Sequence, residues 1–119
     1  MAAEANTCLR YGMMLLSAGA SGYRVIRSVK RCARSLGFDN ADVLVGFNTI
    51  SCTFHKGEEF RTVVADVPLP GVNASRIEAL ESTAHTMLQS YRTADVVNAA
   101  LDEIERIPTP VSYTHLTLP

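Results

Sequence analysis

The chain has 119 residues, of which 47% are apolar and 19% charged, with a formal net charge of −1. That balance excludes a disordered chain and a broadly basic nucleic-acid binder, while the length gives one domain with a single core. The overall charge selects no class of partner.

Residues 3–17 place Leu9, Met13 and Leu16 at helical spacing, flanked by Ala5 and Leu15, which predicts a first helix with one buried face. It ends at SAGASG. Ser21 can cap a second helix, in which Val25, Ile26, Val29, Cys32, Ala33 and Leu36 form the apolar stripe and Gly37 supplies a left-handed stop. The two form an expected helical hairpin. The period then changes to two in DVLVGF (42–47), TISCTFH (49–55) and FRTVVADV (60–67), with the turn-like KGEE between the last two. These are three antiparallel strands in a meander. Ile50, Cys52 and Phe54 should face a core, and Thr49, Ser51, Thr53 and His55 a polar side. PLPG breaks the sheet, and Ser75 with Glu78 reads as a capping box for a third helix striped by Ile77, Leu80, Ala84, Met87, Leu88 and Tyr91. Thr93 can cap a fourth helix, with Val97, Ala100, Leu101 and Ile104 inward and Pro108 as its stop. The fold class is α+β: two N-terminal helices, a three-stranded antiparallel sheet, two C-terminal helices.

The three cysteines, Cys8, Cys32 and Cys52, are odd in number and set in apolar periodic stretches, which reads as reduced core thiols and a cytoplasmic compartment. MAAEANTCLR carries Glu4 and no positive n-region, so no secretory signal is expected. The longest nearly uncharged run, YGMMLLSAGASGYR, falls short of the roughly 18 to 20 apolar residues of a spanning helix.

The second helix carries Arg24, Arg27, Lys30, Arg31 and Arg34 with no acid among them. Such a face can engage phosphate, acidic lipid headgroups or an acidic protein surface, and can equally be a solvated flank with its later cations favoured by the helix dipole. His55 shares a strand face with Ser51 and Thr53 and would lie near Asp66 in the hairpin, a grouping of nucleophile, base and orienter for a small hydrolase. A polar sheet face with ordinary hydroxyl pairs explains the same residues. Neither His55 nor His85 has a Cys, His or carboxylate at metal-ligand spacing, so no metal and no cofactor are expected. SAGASG lacks the preceding strand and the lysine of a phosphate loop and reads as a tight helix junction. The Asn73-Ala74-Ser75 sequon reads as a helix start.

In their order, GMMLLSAGASGYRVIRSVKRCARSLGF, TISCTFHKG and FRTVVADVPLPGVNASRIEAL resemble the soluble N-terminal domain of the threonine/serine exporter family. The pieces that carry the likeness are the small-residue junction before Tyr23-Arg24-Val25, the helix-ending LGF, the TIS strand start, and GVN before the third helix. The likeness covers residues 8 to 108. It implies a transporter of the bacterial inner membrane that exports threonine, serine or related small metabolites on the proton gradient. In such proteins this domain stands on the cytoplasmic face, ahead of a bundle of transmembrane helices in the same or a paired polypeptide. The resemblance thus implies a non-enzymatic accessory domain that gates, senses or assembles, with the transmembrane domain as partner, an open possibility of self-association and no nucleic acid. Hydrolase-like activity has been suspected of this region in the family, but no catalytic motif carries over to named residues here. Beyond Pro108, VSYTHLTLP has neither helical nor strand logic and back-translates to a transposon-end sequencing adapter. Residues 1–109 are therefore expected to be the domain and 110–119 a foreign, poorly ordered tail, which removes Tyr113, His115 and Leu116 from functional consideration.

Overall fold

The computed structural model describes residues 2–67, 74–89 and 93–106, with side chains in the third helix described from Ser75 to Thr83. Its elements are α1 (Ala2–Ser17), α2 (Gly22–Ser35), β1 (Asn40–Val45), β2 (Thr49–Lys56), β3 (Glu59–Asp66), α3 (Ala74–Gln89) and α4 (Ala94–Glu105). The fold is the expected α+β, helix-helix-sheet-helix-helix, with antiparallel strands in the order β1-β2-β3. The sheet lays its inner face on α1 and α2, and α3 and α4 close over those helices from the other side.

Both N-terminal helices stop by the same chemistry. At the end of α1, Gly19 has φ 94°, its N–H donates to Leu16 O, and Ala20 N–H reaches back to Leu15 O at 3.0 Å. At the end of α2, Gly37 has φ 100°, its N–H donates to Arg34 O, and Phe38 N–H reaches Ala33 O at 3.0 Å. This crossed pair of bonds needs a left-handed residue, which glycine adopts without a Cβ penalty. The amides of Ala18, Gly19 and Ala20 are thereby spent inside the helix end rather than presented to a phosphate. Phe38 is then delivered into the core, where its ring stacks on Phe54 at 5.0 Å.

Alternation on β2 buries Ile50, Cys52 and Phe54 and turns Thr49, Ser51, Thr53 and His55 outward, as the period-two pattern requires. Three expectations need correction. β1 covers Asn40–Val45, two residues earlier than 42–47, because Asp39 N–H already bonds His55 O at 2.8 Å and Gly46 N–H bonds Thr49 O to close the turn. Phe47 is consequently a turn residue, 80% exposed. Ser75 lies inside α3, since Ala74 is already helical, so Ser75 is not the residue that precedes the helix.

The third correction concerns α1, which buries Ala5, Thr7, Cys8, Tyr11, Gly12, Met14, Leu15 and Leu16 rather than one stripe, while Leu9 and Met13 are only half-buried. It is the central helix, touching α2, α3, α4, β2 and β3. Its small residues make this possible, and its buried hydroxyl is satisfied, since Thr7 Oγ1 donates to Ala3 O at 2.9 Å and accepts from Asn98 Nδ2 at 3.0 Å. In α2, α3 and α4 the expected residues Val25, Val29, Cys32, Ala33, Leu36, Ile77, Leu80, Val97, Leu101 and Ile104 are buried. The expectations for Pro68, Pro70, the side chains of Ala84, His85, Met87 and Leu88, for Tyr91, Pro108 and the tail 110–119 fall outside the described residues.

Candidate functional site

The outer face of the sheet is set by strand register. The β2–β3 hairpin turns at Gly57–Glu58, pairing Lys56 with Glu59, His55 with Phe60, Thr53 with Thr62, Ser51 with Val64 and Thr49 with Asp66. On the other side β1 sets Asn40 against His55, Asp42 against Thr53 and Leu44 against Ser51. Asp66 therefore stands six residues along β2 from His55, about 20 Å at the usual rise, and Ser51 stands about 13 Å away. The grouping of Ser51, His55 and Asp66 expected from sequence is not brought together.

The carboxylate that does meet His55 is Asp42, whose Oδ2 lies 3.0 Å from the ring Nε2, in an exposed hydrogen-bonded pair. Phe60 lies beside the same ring, with centroids 6.5 Å apart. Thr53 and Thr62 share a hydroxyl–hydroxyl bond of 2.9 Å, and Thr49 Oγ1 donates to Asp66 Oδ1 at 3.4 Å. Ser51 is flanked by the exposed Leu44 and Val64. An aspartate holding a histidine is half of a hydrolytic arrangement, but among the described residues no hydroxyl bonds His55 as a nucleophile would. The face is a set of cross-strand pairs.

The basic helix is displayed as the sequence suggests. Ser21 caps α2 with extended backbone and its side chain accepts from Arg24 N–H at 3.3 Å. Opposite the buried side, Tyr23, Arg24, Arg27, Lys30 and Arg34 are exposed, with Arg31 half-buried. Arg24 pairs with Glu81 of α3, Nε to Oε1 3.4 Å. Arg27 places its guanidinium 5.6 Å from the centre of the Tyr23 ring. Lys30 and Arg34 border a notch of about 120 Å³ with Phe38, Asp39, Asn40 and Ala41. Asp39, the acid in that notch, accepts at Oδ2 from Gly57 N–H at 2.6 Å. Among the described residues Arg27, Lys30, Arg31 and Arg34 have no carboxylate within ion-pair distance.

Sequence reasoning missed a third place. A cavity of about 250 Å³ opens between Arg10, Met13, Met14, Val67, Arg76 and Glu105. Arg10 crosses from α1 to α4, donating to Asn98 Oδ1 at 3.3 Å, to Asp102 Oδ1 at 2.6 Å and to Glu105. Arg76 Nη2 donates to Glu105 O at 3.1 Å. Arg10 is engaged with the Glu105 carboxylate and Arg76 with the Glu105 carbonyl, so these rim groups staple helices. The sequence signal was available: a lone arginine on α1, and an acid pair at 102 and 105 whose i, i+3 spacing shares one face of α4. Linking the two required the tertiary packing.

Compared with known proteins, residues 6–118 match the model of the family described as "Putative threonine/serine exporter". The matched span takes in most of the segment 110–119. No curated protein and no solved structure matches the chain.

Proposed function

The chain belongs to the threonine/serine exporter family, and from that premise we infer that it is an accessory domain of a proton-driven exporter of threonine, serine or related small metabolites. The match over residues 6–118 carries the reading. None of the described helices is long and apolar enough to cross a membrane. Secondary transporters bind and pass their substrates between spanning helices near the bilayer midplane. The translocation step accordingly falls to spanning helices outside the described residues, in the same or a paired polypeptide, and this domain gates, senses or assembles them from the cytoplasmic face.

Hydrolysis on the His55 face receives no support from the register that separates Ser51, His55 and Asp66. The accessory reading is tested by expressing the spanning partner, with and without this chain, in cells loaded with a threonine-containing dipeptide. Threonine efflux should be several-fold faster with the domain present and should collapse when an uncoupler dissipates the proton gradient. Equal efflux with and without the domain would remove the accessory role, and uncoupler-insensitive efflux would remove the proton coupling.

A further inference from the structure

Tyr23, Arg27, Lys30 and Arg34 stand at i, i+4, i+7 and i+11 of α2, so they form one straight row about 16 Å long at the helical rise. All four are exposed, Tyr23 to 72%. The helix beneath them is held rigidly, capped by Ser21, stopped at Gly37 and buried along Val25, Val29, Cys32 and Ala33. The row is therefore a preformed element whose cations are not consumed by acids among the described residues. Glu81 on α3 is turned to Arg24 at one side of the row, and Asp39 is turned to the β2–β3 hairpin at the other end.

We propose that this row of α2 is a docking surface for an anionic lipid bilayer, with a headgroup phosphate held in the notch between Lys30 and Arg34. Charge complementarity selects the occupant. Three cations in line on a chain of net charge −1 make a local patch, not a basic protein. A patch of this kind is attracted over a short range by a surface of uniformly negative headgroups. The aromatic end fits the same partner, because tyrosine rings settle at the headgroup level with the phenol hydrated and the ring in the interface. Arg27, held beside that ring, would contact a neighbouring phosphate. Lys30 and Arg34 offer a third contact where the notch of about 120 Å³ lets an oxyanion sit below the level of the helix surface. A nucleic acid is the less fitting partner, since three cations in one row on a chain of net charge −1 offer few phosphate contacts. The inference stands apart from the transport reading, because it needs only this chain and lipid.

The test is sedimentation of the purified 119-residue chain with vesicles of phosphatidylcholine alone or mixed with phosphatidylglycerol. The chain should partition onto the mixed vesicles and not onto phosphatidylcholine, with binding falling steeply as salt rises from ~0.05 to ~0.3 M. Arg27→Glu with Arg34→Glu should lower the partition coefficient about tenfold or more, while Arg27→Lys with Arg34→Lys keeps it within about threefold. Circular dichroism melts of both variants confirm that they remain folded; if the reversal variant unfolds, Lys30→Gln with Arg34→Gln takes its place. Equal partition onto both vesicles, no partition onto either, indifference to charge reversal, or tighter binding to mixed-sequence duplex DNA than to the anionic vesicles would each overturn the proposal.

Discussion

At Gly12 the absence of a side chain sets how closely α1 approaches its neighbours. A Cβ there would stand 2.6 Å from Ile50 Cδ1 and 2.8 Å from Val29 Cγ2. The isoleucine end can swing aside, but the β-branched valine on α2 has little rotamer freedom. Gly12→Ala gains about 1 kcal/mol of helix propensity and meets an overpacking cost of about 1 to 3 kcal/mol. The net expectation is a loss of about 1 kcal/mol, read as a lower urea midpoint, and Val29→Ala in the same chain should make the Gly12→Ala step neutral or favourable. A loss unchanged by Val29→Ala would mean that the clash is not the cause. His55 shows what single residues reveal in sequence. Its face was legible, because parity along a strand decides inside from outside. Its carboxylate partner was not, because Asp42 and Asp66 share the outer face and only the strand register fixes which one comes diagonally within reach.

Among the elements, α1 departs most from its expected character. Spacing of Leu9, Met13 and Leu16 described one stripe, whereas the helix is enclosed by the sheet on one side and by α3 and α4 on the other. Its alanines, glycine and threonine carry weak hydropathic signals, so the second buried side was invisible to periodicity. Arg10 is the polar side of that enclosure. Its bonds to Asn98, Asp102 and Glu105 tie α1 to α4, but the arginine side chain is 31% exposed and the two acids 60% and 51%, so solvent screens much of the attraction. Arg10→Ala should cost about 1 kcal/mol in urea denaturation at low salt, and the cost should shrink by roughly half in ~0.5 M NaCl. Arg10→Lys should restore only part, because an ammonium cannot address three acceptors with a planar fork. A penalty independent of salt would assign the effect to packing of the arginine stem instead.

On the scale of the whole molecule, the core holds weak acids that ionise poorly while folded. Cys8 and Cys32 touch at 3.4 Å between sulfurs, and that contact, followed by burial, pushes the Cys8 thiol up. Burial pushes the Cys52 thiol up to about 12 and raises the Tyr11 phenol, whose hydroxyl donates to Leu80 O. The unfolded chain releases these protons first, from about pH 8.5 for the thiols and about 10 for the phenol. Above those values the folded state binds more protons than the unfolded one, so stability is complete below about pH 8 and is lost as pH rises. Each group should contribute a slope of roughly 1.4 kcal/mol per pH unit once its unfolded form is ionised, and Cys52→Ala should flatten it by one group's share. Urea midpoints measured from pH 7 to 11 check this, and a flat profile would show that the groups ionise in place. The sequence by itself determined the order of the elements, the antiparallel sheet, the inner face of β2, the left-handed stop at Gly37 and the family resemblance that the match over residues 6–118 bears out. All of these are local or periodic properties, written into neighbouring residues by the spacing of apolar side chains and by turn chemistry. Only the tertiary structure decided that α1 is central, that His55 meets Asp42, that Arg10 reaches α4, and that, among the described residues, no acid pairs with the row on α2 while Glu81 pairs with Arg24. Each of those depends on which of several equivalent surfaces the chain brings together. That choice is made by strand register and three-dimensional packing, which no short stretch of sequence encodes.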